Sequence, residues 1–236
     1  VSDLAVNLLA SVIAGTAVWL VQWLFRFRRA ARRRAFFGFV PGSRALIVVG
    51  RHFSSPSAMS VNKGDMAAVV ELAVLATSGE VDPVIVLPDE TIEGVGAQVE
   101  FCVGGPTSNR RTAAHLRWLL PGVQQASRDD DLDHLTLRIG AHEFRRERDT
   151  AEYVLVARIA IPGGRCPLFL ISGQTANTNH AAARYLARHH TELLGRYGDT
   201  ARFCLVLRVV DRGAYGSNFV ELAADVTAEA FEPVHP

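Results

Sequence analysis

Two short polar turns hold the residue types best suited to binding a small anion. The stretch GGPTSN spans 104–109 and SGQTAN spans 172–177, and each contains the pattern Gly-x-Thr-x-Asn between a β-rich run and an Ala-rich helical run. A glycine lets the backbone approach a ligand closely. The N-terminus of the following helix then presents unpaired N–H groups and a positive dipole end to a phosphate or carboxylate. Ser, Thr and Asn are also ordinary helix N-caps, so capping alone is the competing interpretation.

The predicted binding residues come from both turns and from the end of an earlier strand. Gly50 closes the first apolar run, and it joins the turns if the sheet order brings the three strand ends together. Arg110, with Arg111 beside it, either clamps an anionic group or lies on a solvated helix surface. Neither turn matches a dinucleotide-binding GxGxxG fingerprint or a Walker P-loop. The predicted set is Gly50, Gly104, Gly105, Thr107, Asn109, Arg110, Gly173, Thr175 and Asn177.

Four side chains near this edge are candidates for acid–base chemistry. Asp65 either caps a helix or points into the pocket, and Glu71 lies either on a partly exposed helix face or inward from an otherwise apolar run. His52 follows the first strand and His180 begins the longest helix, where each imidazole either acts as a general acid or base or is a surface or capping residue. The acidic run at 129–133 lacks the spacing of a calcium loop and more simply forms a solvated loop. We therefore predict no metal site, and the sequence names no cofactor.

The elements that must position these residues follow from the apolar patterning. Continuous apolar runs alternate with helical patterns along 44–236, as in a parallel sheet covered by helices, while short alternating runs at 135–161 are typical of antiparallel strands. We predict one α/β domain with a Rossmann-like, mainly parallel sheet, helices on its faces, and antiparallel strands in the middle and at the C-terminus. The predicted strands are 44–50, 82–88, 99–105, 166–173, 201–211 and 218–228, and the predicted helices are 65–77, 108–120 and 177–198.

An uncharged apolar run precedes this domain. Residues 4–25 contain no charged side chain, and as a helix they span about 33 Å, enough for a hydrocarbon core of roughly 30 Å. Six arginines follow within 26–34. Because positive charge favours the cytoplasmic side, we predict a single-pass inner-membrane protein with residues 1–3 outside, a basic juxtamembrane segment and hinge at 26–43, and a cytoplasmic domain at 44–236.

The charge distribution argues against nucleic acid as a partner. After residue 34 the chain carries 19 basic and 23 acidic residues, a net charge of −4, without a basic stripe interleaved with aromatic residues.

The apolar run at 4–25 contains two small-xxx-small pairs, Ala10 with Ala14 and Ser11 with Gly15. Such pairs permit close helix packing, so the chain could form a homodimer.

Three stretches carry a resemblance to a known group of proteins. They are VGGPTSN (103–109), EYVLVARI (152–159) and LFLISGQTANTNHAAARYL from residue 168 onwards. Over roughly 44–226 the chain resembles uncharacterised prokaryotic Rossmann-like domains related to the nucleoside deoxyribosyltransferase, TIR and SLOG group. The resemblance implies a sheet-edge pocket that binds nucleotides or cleaves N-glycosidic bonds with a carboxylate from a helix. Glu71 or Asp65 would be the nearest candidate, although neither matches a family motif residue by residue.

The leading prediction is a membrane-anchored cytoplasmic domain that binds a nucleotide or nucleoside derivative, as a sensor or effector. A second hypothesis is an enzyme that hydrolyses the N-glycosidic bond of a nucleotide or nucleoside. The third is a non-catalytic scaffold that docks a partner protein at the membrane.

Overall fold

A seven-stranded sheet forms the centre of the molecule. The computed structural model describes residues 2–52, 54–57, 59–90, 94–126, 135–147, 150–210 and 219–233, with side chains at 13 and, within those ranges, from 15 onwards. The sheet has the order β10-β9-β7-β8-β3-β1-β2. Its strands are β1 Arg44–Val49, β2 Asp82–Val86, β3 Val99–Val103, β7 Ala151–Ala160, β8 Pro167–Gly173, β9 Phe203–Val210 and β10 Val220–Asp225.

Most strands of this sheet run in one direction. β1 pairs in parallel with β2 and β3, and β3 pairs in parallel with β8. β7 is antiparallel to both β8 and β9, and β10 is antiparallel to β9. Five strands therefore share one direction, and β7 and β10 oppose them. The predicted α/β class with a mostly parallel central sheet is confirmed.

A small second sheet and five helices complete the described fold. The small sheet is antiparallel, with the order β4-β5-β6. Its second and third strands lie in the stretch 135–161 predicted as short strands, whereas its first strand precedes that stretch. Its strands are β4 Val123–Gln125, β5 Leu137–Ile139 and β6 His142–Phe144. The helices are α1 Ser2–Phe37, α2 Lys63–Thr77, α3 Arg110–Leu119, α4 Ala176–Tyr197 and α5 Thr227–Ala230.

Alternation along the strands divides the core into two layers. In β8, Phe169 and Ile171 face the layer formed with α2, α4 and the end of α1, whereas Leu168 and Leu170 face the layer formed with α3, α5 and the small sheet. Successive strand residues point to opposite faces, so a continuous apolar run is what a strand covered on both sides requires. This burial explains why β1 from Ala45 onwards and β8 from Leu168 to Ile171 are uninterrupted apolar runs, and why β3 is apolar apart from Glu100.

The segment predicted as a hinge is part of the core. Helix α1 continues to Phe37, and the side chains of Phe36 and Phe37 are fully buried among aromatic rings that include Phe101 and Phe169. Just before them, the Arg34 guanidinium lies 3.2 Å from a Glu80 carboxylate oxygen. Aromatic side chains next to Gly and Pro looked like a linker in the sequence, but burying them stabilises the fold. The folded domain therefore begins before residue 44.

The predicted transmembrane helix at 4–25 needs a correction. Within the part of the chain that the structure describes, no helix is long and apolar enough to cross a membrane. The side chains of Ala10, Ser11 and Ala14, on which the homodimer prediction rests, lie outside the described set.

Two further predictions differ from the structure or fall outside it. The strand predicted at 218–228 ends at Asp225, and helix α5 begins at Thr227. The Asp225 carboxylate accepts hydrogen bonds from the Thr227 amide (3.2 Å) and hydroxyl (2.6 Å). The acidic run at 129–133 lies outside the described residues.

Candidate functional site

A polar cavity lies where β1, β3 and β8 end. Its volume is about 120 Å³, and residues that follow each of these three strands line it. β2 and β3 flank β1 on opposite sides, so the chain reverses its direction of travel across the sheet between β1 and β3. Ligands of open α/β sheets bind beyond the carboxyl ends of the strands at such a reversal. The lining residues are Arg51, His52, Ser54, Asn62, Asp65, Gly105 to Ser108, Gln125, Ala126, Leu135, Gly173 to Ala176 and Asn179.

Three helices begin beside this cavity. The N-cap of α2 is Asn62, whose Oδ1 accepts a hydrogen bond from the Gly64 amide at 2.9 Å. The N-cap of α3 is Asn109, and the N-cap of α4 is Thr175. The starts of α2 and α4 touch, because a Cβ added to Gly64 would lie 2.6 Å from the Ala176 carbonyl. The positive dipole ends of α2, α3 and α4 therefore lie close together around one polar space.

A buried carboxyl group forms part of the cavity wall. Asp65 is only 4% exposed, and its Oδ1 accepts a hydrogen bond from Asn179 Nδ2 at 2.7 Å. Asn179 Oδ1 in turn accepts a hydrogen bond from the Gly173 amide at 2.7 Å. Burial raises the pKa of Asp65, and the Asn179 hydrogen bond and the nearby His52 oppose that rise only in part. A carboxyl group in this setting can exchange a proton with a ligand nearer to neutral pH than an exposed aspartate can.

His52 and Arg51 supply the basic side chains of the cavity. His52 Nδ1 lies 3.5 Å from the Ser54 hydroxyl, and its backbone amide donates to the Ser60 carbonyl at 2.7 Å. An Arg51 guanidinium nitrogen lies 2.6 Å from an Asp89 carboxylate oxygen. The loop after β1 thus brings an imidazole and a guanidinium to the same cavity that Asp65 lines.

Two residues that hold the cavity wall in place, Glu152 and Gln174, were not among the residues predicted from the sequence. Glu152 on β7 is buried, and its carboxylate accepts hydrogen bonds from the Thr175 hydroxyl (2.8 Å) and from Arg146 Nε (3.0 Å). Gln174 donates to the Leu135 and Phe144 carbonyls at 3.0 and 3.1 Å, which ties the turn after β8 to the small sheet. These contacts join residues between 6 and 39 positions apart. Only the alternating pattern around 152, which predicted a strand, offered any signal for them.

The structure separates the four candidate acid–base residues into two pairs. Asp65 and His52 line the cavity. Glu71 and His180 do not, and they pair with each other instead, with His180 Nε2 3.7 Å from Glu71 Oε1. Arg184 on the same helix as His180 also lies 3.7 Å from that oxygen. Glu71 is a half-buried residue in an ion-pair network between α2 and α4, which matches the partly exposed helix face considered from the sequence.

The predicted binding residues also divide. Gly105, Thr107, Gly173 and Thr175 line the cavity. The others stand outside its wall: Gly50, Gly104, Asn109, Arg110 and Asn177.

The residues outside the wall serve the strand and helix ends. Gly104 has a φ of +112°, which favours glycine whether or not a ligand is present. Asn109 is fully buried, where its Oδ1 accepts from the Arg111 and Thr112 amides and its Nδ2 donates to the Val103 carbonyl. Asn177 is exposed on α4, and Arg110 is 88% exposed. For Asn109 and Arg110, the capping and solvated-surface alternatives match the structure.

Three buried side chains of the kinds that bind metal ions lie together under α3, away from the cavity. Oxygen, sulfur and nitrogen atoms of Glu100, Cys102 and His115 lie within 4.8 Å of one another. Arg111 donates to both Glu100 oxygens at 2.5 and 2.6 Å, and His115 Nε2 lies 3.0 Å from one of them. Burial acts to raise the pKa of Glu100, but the hydrogen bonds from Arg111 and His115 outweigh it and lower the pKa. The group is a saturated buried ion pair rather than an open ligand set.

No protein-family model, curated protein or solved structure matches this chain.

Proposed function

We propose that this domain binds a nucleotide or nucleoside derivative in the cavity at the carboxyl ends of β1, β3 and β8. The observation that carries the proposal is the convergence of three helix N-termini on one polar space at the point where the chain reverses across the sheet. Backbone N–H groups and helix dipoles at such a point favour a phosphate or another anionic group. The same arrangement supports the Rossmann-like interpretation of the sheet.

The cavity dimensions favour partial enclosure of the ligand. Its volume of about 120 Å³ is well below the 300–1,000 Å³ of cavities that enclose a whole drug-sized molecule. One compact group, a phosphate or a sugar, fits inside. The remainder of the ligand lies across the rim that Arg51, His52 and Thr107 border.

Thermal unfolding with a panel of ligands tests the proposal. The purified full chain is titrated with ATP, NAD, deoxyadenosine and a cyclic dinucleotide. A ligand at a hundred times its Kd should stabilise the domain by about 2.7 kcal/mol. Gly105→Ala should weaken binding at least tenfold, because it adds a methyl group to the cavity wall. The fold should tolerate this methyl group, because its nearest protein atoms lie at ordinary contact distances of 3.5 and 3.6 Å.

Asn177→Ala is the matched control, because Asn177 belongs to the second turn but is exposed outside the cavity. We expect it to bind as the wild type does. Equal affinity in the wild type and Gly105→Ala would overturn the proposed site. A blank across the whole panel, together with a co-purifying protein, would instead favour the scaffold hypothesis.

Asp65 supports a second candidate function, hydrolysis of an N-glycosidic bond. In that reaction water adds a hydroxyl group to the anomeric carbon, and the base leaves with the bonding electron pair. The base of a nucleoside takes up the proton that water loses, whereas the nicotinamide of NAD leaves as a neutral molecule and the proton passes to solvent. Asp65 could take the proton from water or give one to the base, since it borders the cavity and burial raises its pKa. Glu71 is removed from the cavity by its pairing with His180.

Release of free base, followed by chromatography, separates hydrolysis from binding alone. If the domain is a hydrolase, Asp65→Asn should abolish release from NAD or nucleosides, while Glu71→Gln should retain it. Binding without release in the wild type would leave the sensor function and reject the hydrolase.

The membrane attachment remains part of our proposal. Helix α1 exposes all of residues 15–29, including the apolar side chains of Trp19, Leu20, Trp23 and Phe25. An apolar helix surface followed by arginines suits a bilayer with anionic headgroups on the side of the domain, which would be cytoplasmic. Co-flotation of the full chain with phosphatidylglycerol vesicles tests attachment. A chain that stays at the bottom of the gradient would reject it.

A further inference from the structure

A second cavity lies at the opposite end of β8 from the candidate site. Its volume is about 260 Å³, and it is bordered by the end of β7, the β7–β8 turn and the loop after α4. Gly38, directly after α1, also borders it. β8 contains seven residues, so the two cavities are about 20 Å apart along the strand. They are separate sites.

The second cavity contains a buried guanidinium, and no carboxylate of the described residues lies within ion-pair distance of it. Arg158 is 4% exposed, and its Nη1 donates to the Ala201 carbonyl at 2.8 Å while Nη2 donates to the Asp199 carbonyl. Among the described residues, no atom accepts a hydrogen bond from its Nε. Burial lowers the pKa of Arg158, and the charge of Asp199 offsets this only in part. A buried cation held by carbonyls alone is costly, and an anion from outside would relieve that cost.

The other walls define the rest of the ligand. Ala160, Ile161 and Pro167 present apolar surface. The exposed Arg165 adds a second positive charge and Asp199 a negative one, so the formal charge around the cavity is +1. One negative charge on an apolar body complements these walls, whereas a polyanionic nucleotide does not.

We propose that this cavity binds a small monoanion with an apolar body, with its carboxylate directed at Arg158 and its alkyl part against Ala160 and Ile161. The proposal does not depend on the function assigned to the first cavity. Carboxylates accept charge-assisted hydrogen bonds from guanidinium groups. Arg158 borders the cavity, and its Nε is a buried donor that has no acceptor among the described residues.

Isothermal titration of the full chain with hexanoate tests the proposal, with hexylammonium and hexanol as probes of equal length. We expect saturable binding of hexanoate, and at least tenfold weaker binding of the other two. Ala160→Trp should abolish hexanoate binding, because Ala160 is an exposed wall residue whose enlargement fills the cavity without disturbing the core. Gly105→Ala, at the other cavity, should bind hexanoate as the wild type does.

Arg158→Lys separates charge from the Nε hydrogen bond. We expect hexanoate affinity to fall about tenfold, with the fold checked by circular dichroism. If that variant does not fold, Ala160→Trp alone decides the question. Absence of hexanoate binding, equal binding of the three probes, or unchanged binding by Ala160→Trp would each overturn the proposal.

Discussion

The geometry around Gly173 predicts that two similar glycine substitutions at the candidate site have very unequal effects on stability. In Gly173→Ala, the new Cβ would lie 2.1 Å from Thr178 Oγ1 and 2.7 Å from Asn179 Oδ1. In Gly105→Ala, the nearest atoms are ordinary contacts at 3.5 Å or more. Neither glycine has a φ in the left-handed region, so any difference in stability arises from the neighbouring atoms.

The magnitude follows from what must move. Thr178 Oγ1 accepts a hydrogen bond from the Thr175 amide and donates to the Thr175 carbonyl at 2.7 Å, which closes the first turn of α4. Forcing a methyl group into this packing costs roughly 1–3 kcal/mol, and loss of the helix-start contacts costs about 1 kcal/mol more. We expect Gly173→Ala to lose about 2–4 kcal/mol of unfolding free energy. The unfolding free energy of Gly105→Ala should differ from that of the wild type by less than about 1 kcal/mol.

Urea unfolding followed by circular dichroism measures both variants. With a slope of about 2 kcal/mol per molar urea, Gly173→Ala should lower the unfolding midpoint by about 1–2 M. Gly105→Ala should lie within about 0.5 M of the wild type. Equal midpoints for the two variants would refute the close packing of Gly173 against the start of α4.

Three further predictions concern buried ionisable groups. Asp65→Asn should raise the free energy of unfolding by about 1 kcal/mol at pH 8 and by less at pH 5. The reason is that burial raises the pKa of Asp65, so the stability of the wild type falls as pH increases. A difference in urea midpoint between variant and wild type that does not depend on pH would contradict this. Glu100→Gln should lower the free energy of unfolding by about 3–5 kcal/mol, because Arg111 loses its buried anion. A loss below about 1 kcal/mol would show that this ion pair does not stabilise the fold. Burial lowers the pKa of His190, so the free energy of unfolding of the wild type should fall as pH decreases below about 6.5. His190→Phe should reduce this dependence of stability on pH. An unchanged dependence in the variant would show that other groups cause it.

The strands were predictable because burial on both faces leaves a local pattern. β1 and β8 contain continuous apolar runs, and β3 is apolar apart from Glu100. The helices that follow β3 and β8 are preceded by residues that prefer N-caps. Those local preferences predicted the turns and their place at one edge of the sheet. They could not show whether an asparagine there caps a helix or faces the cavity.

Asn177 and Asn179 show why that choice needs the structure. The two residues lie two positions apart on α4, where side chains point in different directions. Asn177 is exposed, whereas Asn179 is buried against Asp65, 114 positions earlier in the chain. The sequence identified the turn, but only the packing of α2 against α4 determines which asparagine contributes to the cavity.

The hinge prediction failed for a related reason. Phe36 and Phe37 stand next to the Gly-Phe-Val-Pro-Gly stretch, a composition typical of linkers. Their partners are strand residues, Phe101 and Phe169, and the ring of His190. A local pattern cannot show that such distant rings converge, so the domain boundary was placed too late.

The positions of α1 and the two cavities suggest a division of the molecule into two ends. Arg33 and Arg34 of α1 contact Ser78 and Glu80, just before β2 begins, so α1 reaches the sheet near the amino ends of its parallel strands. The candidate nucleotide site lies at their carboxyl ends. If α1 attaches the domain to a bilayer, this site faces the aqueous phase, where a nucleotide would be dissolved. The second cavity lies at the amino end of β8 beside Gly38, which directly follows α1, so it lies at the same end of the sheet as α1.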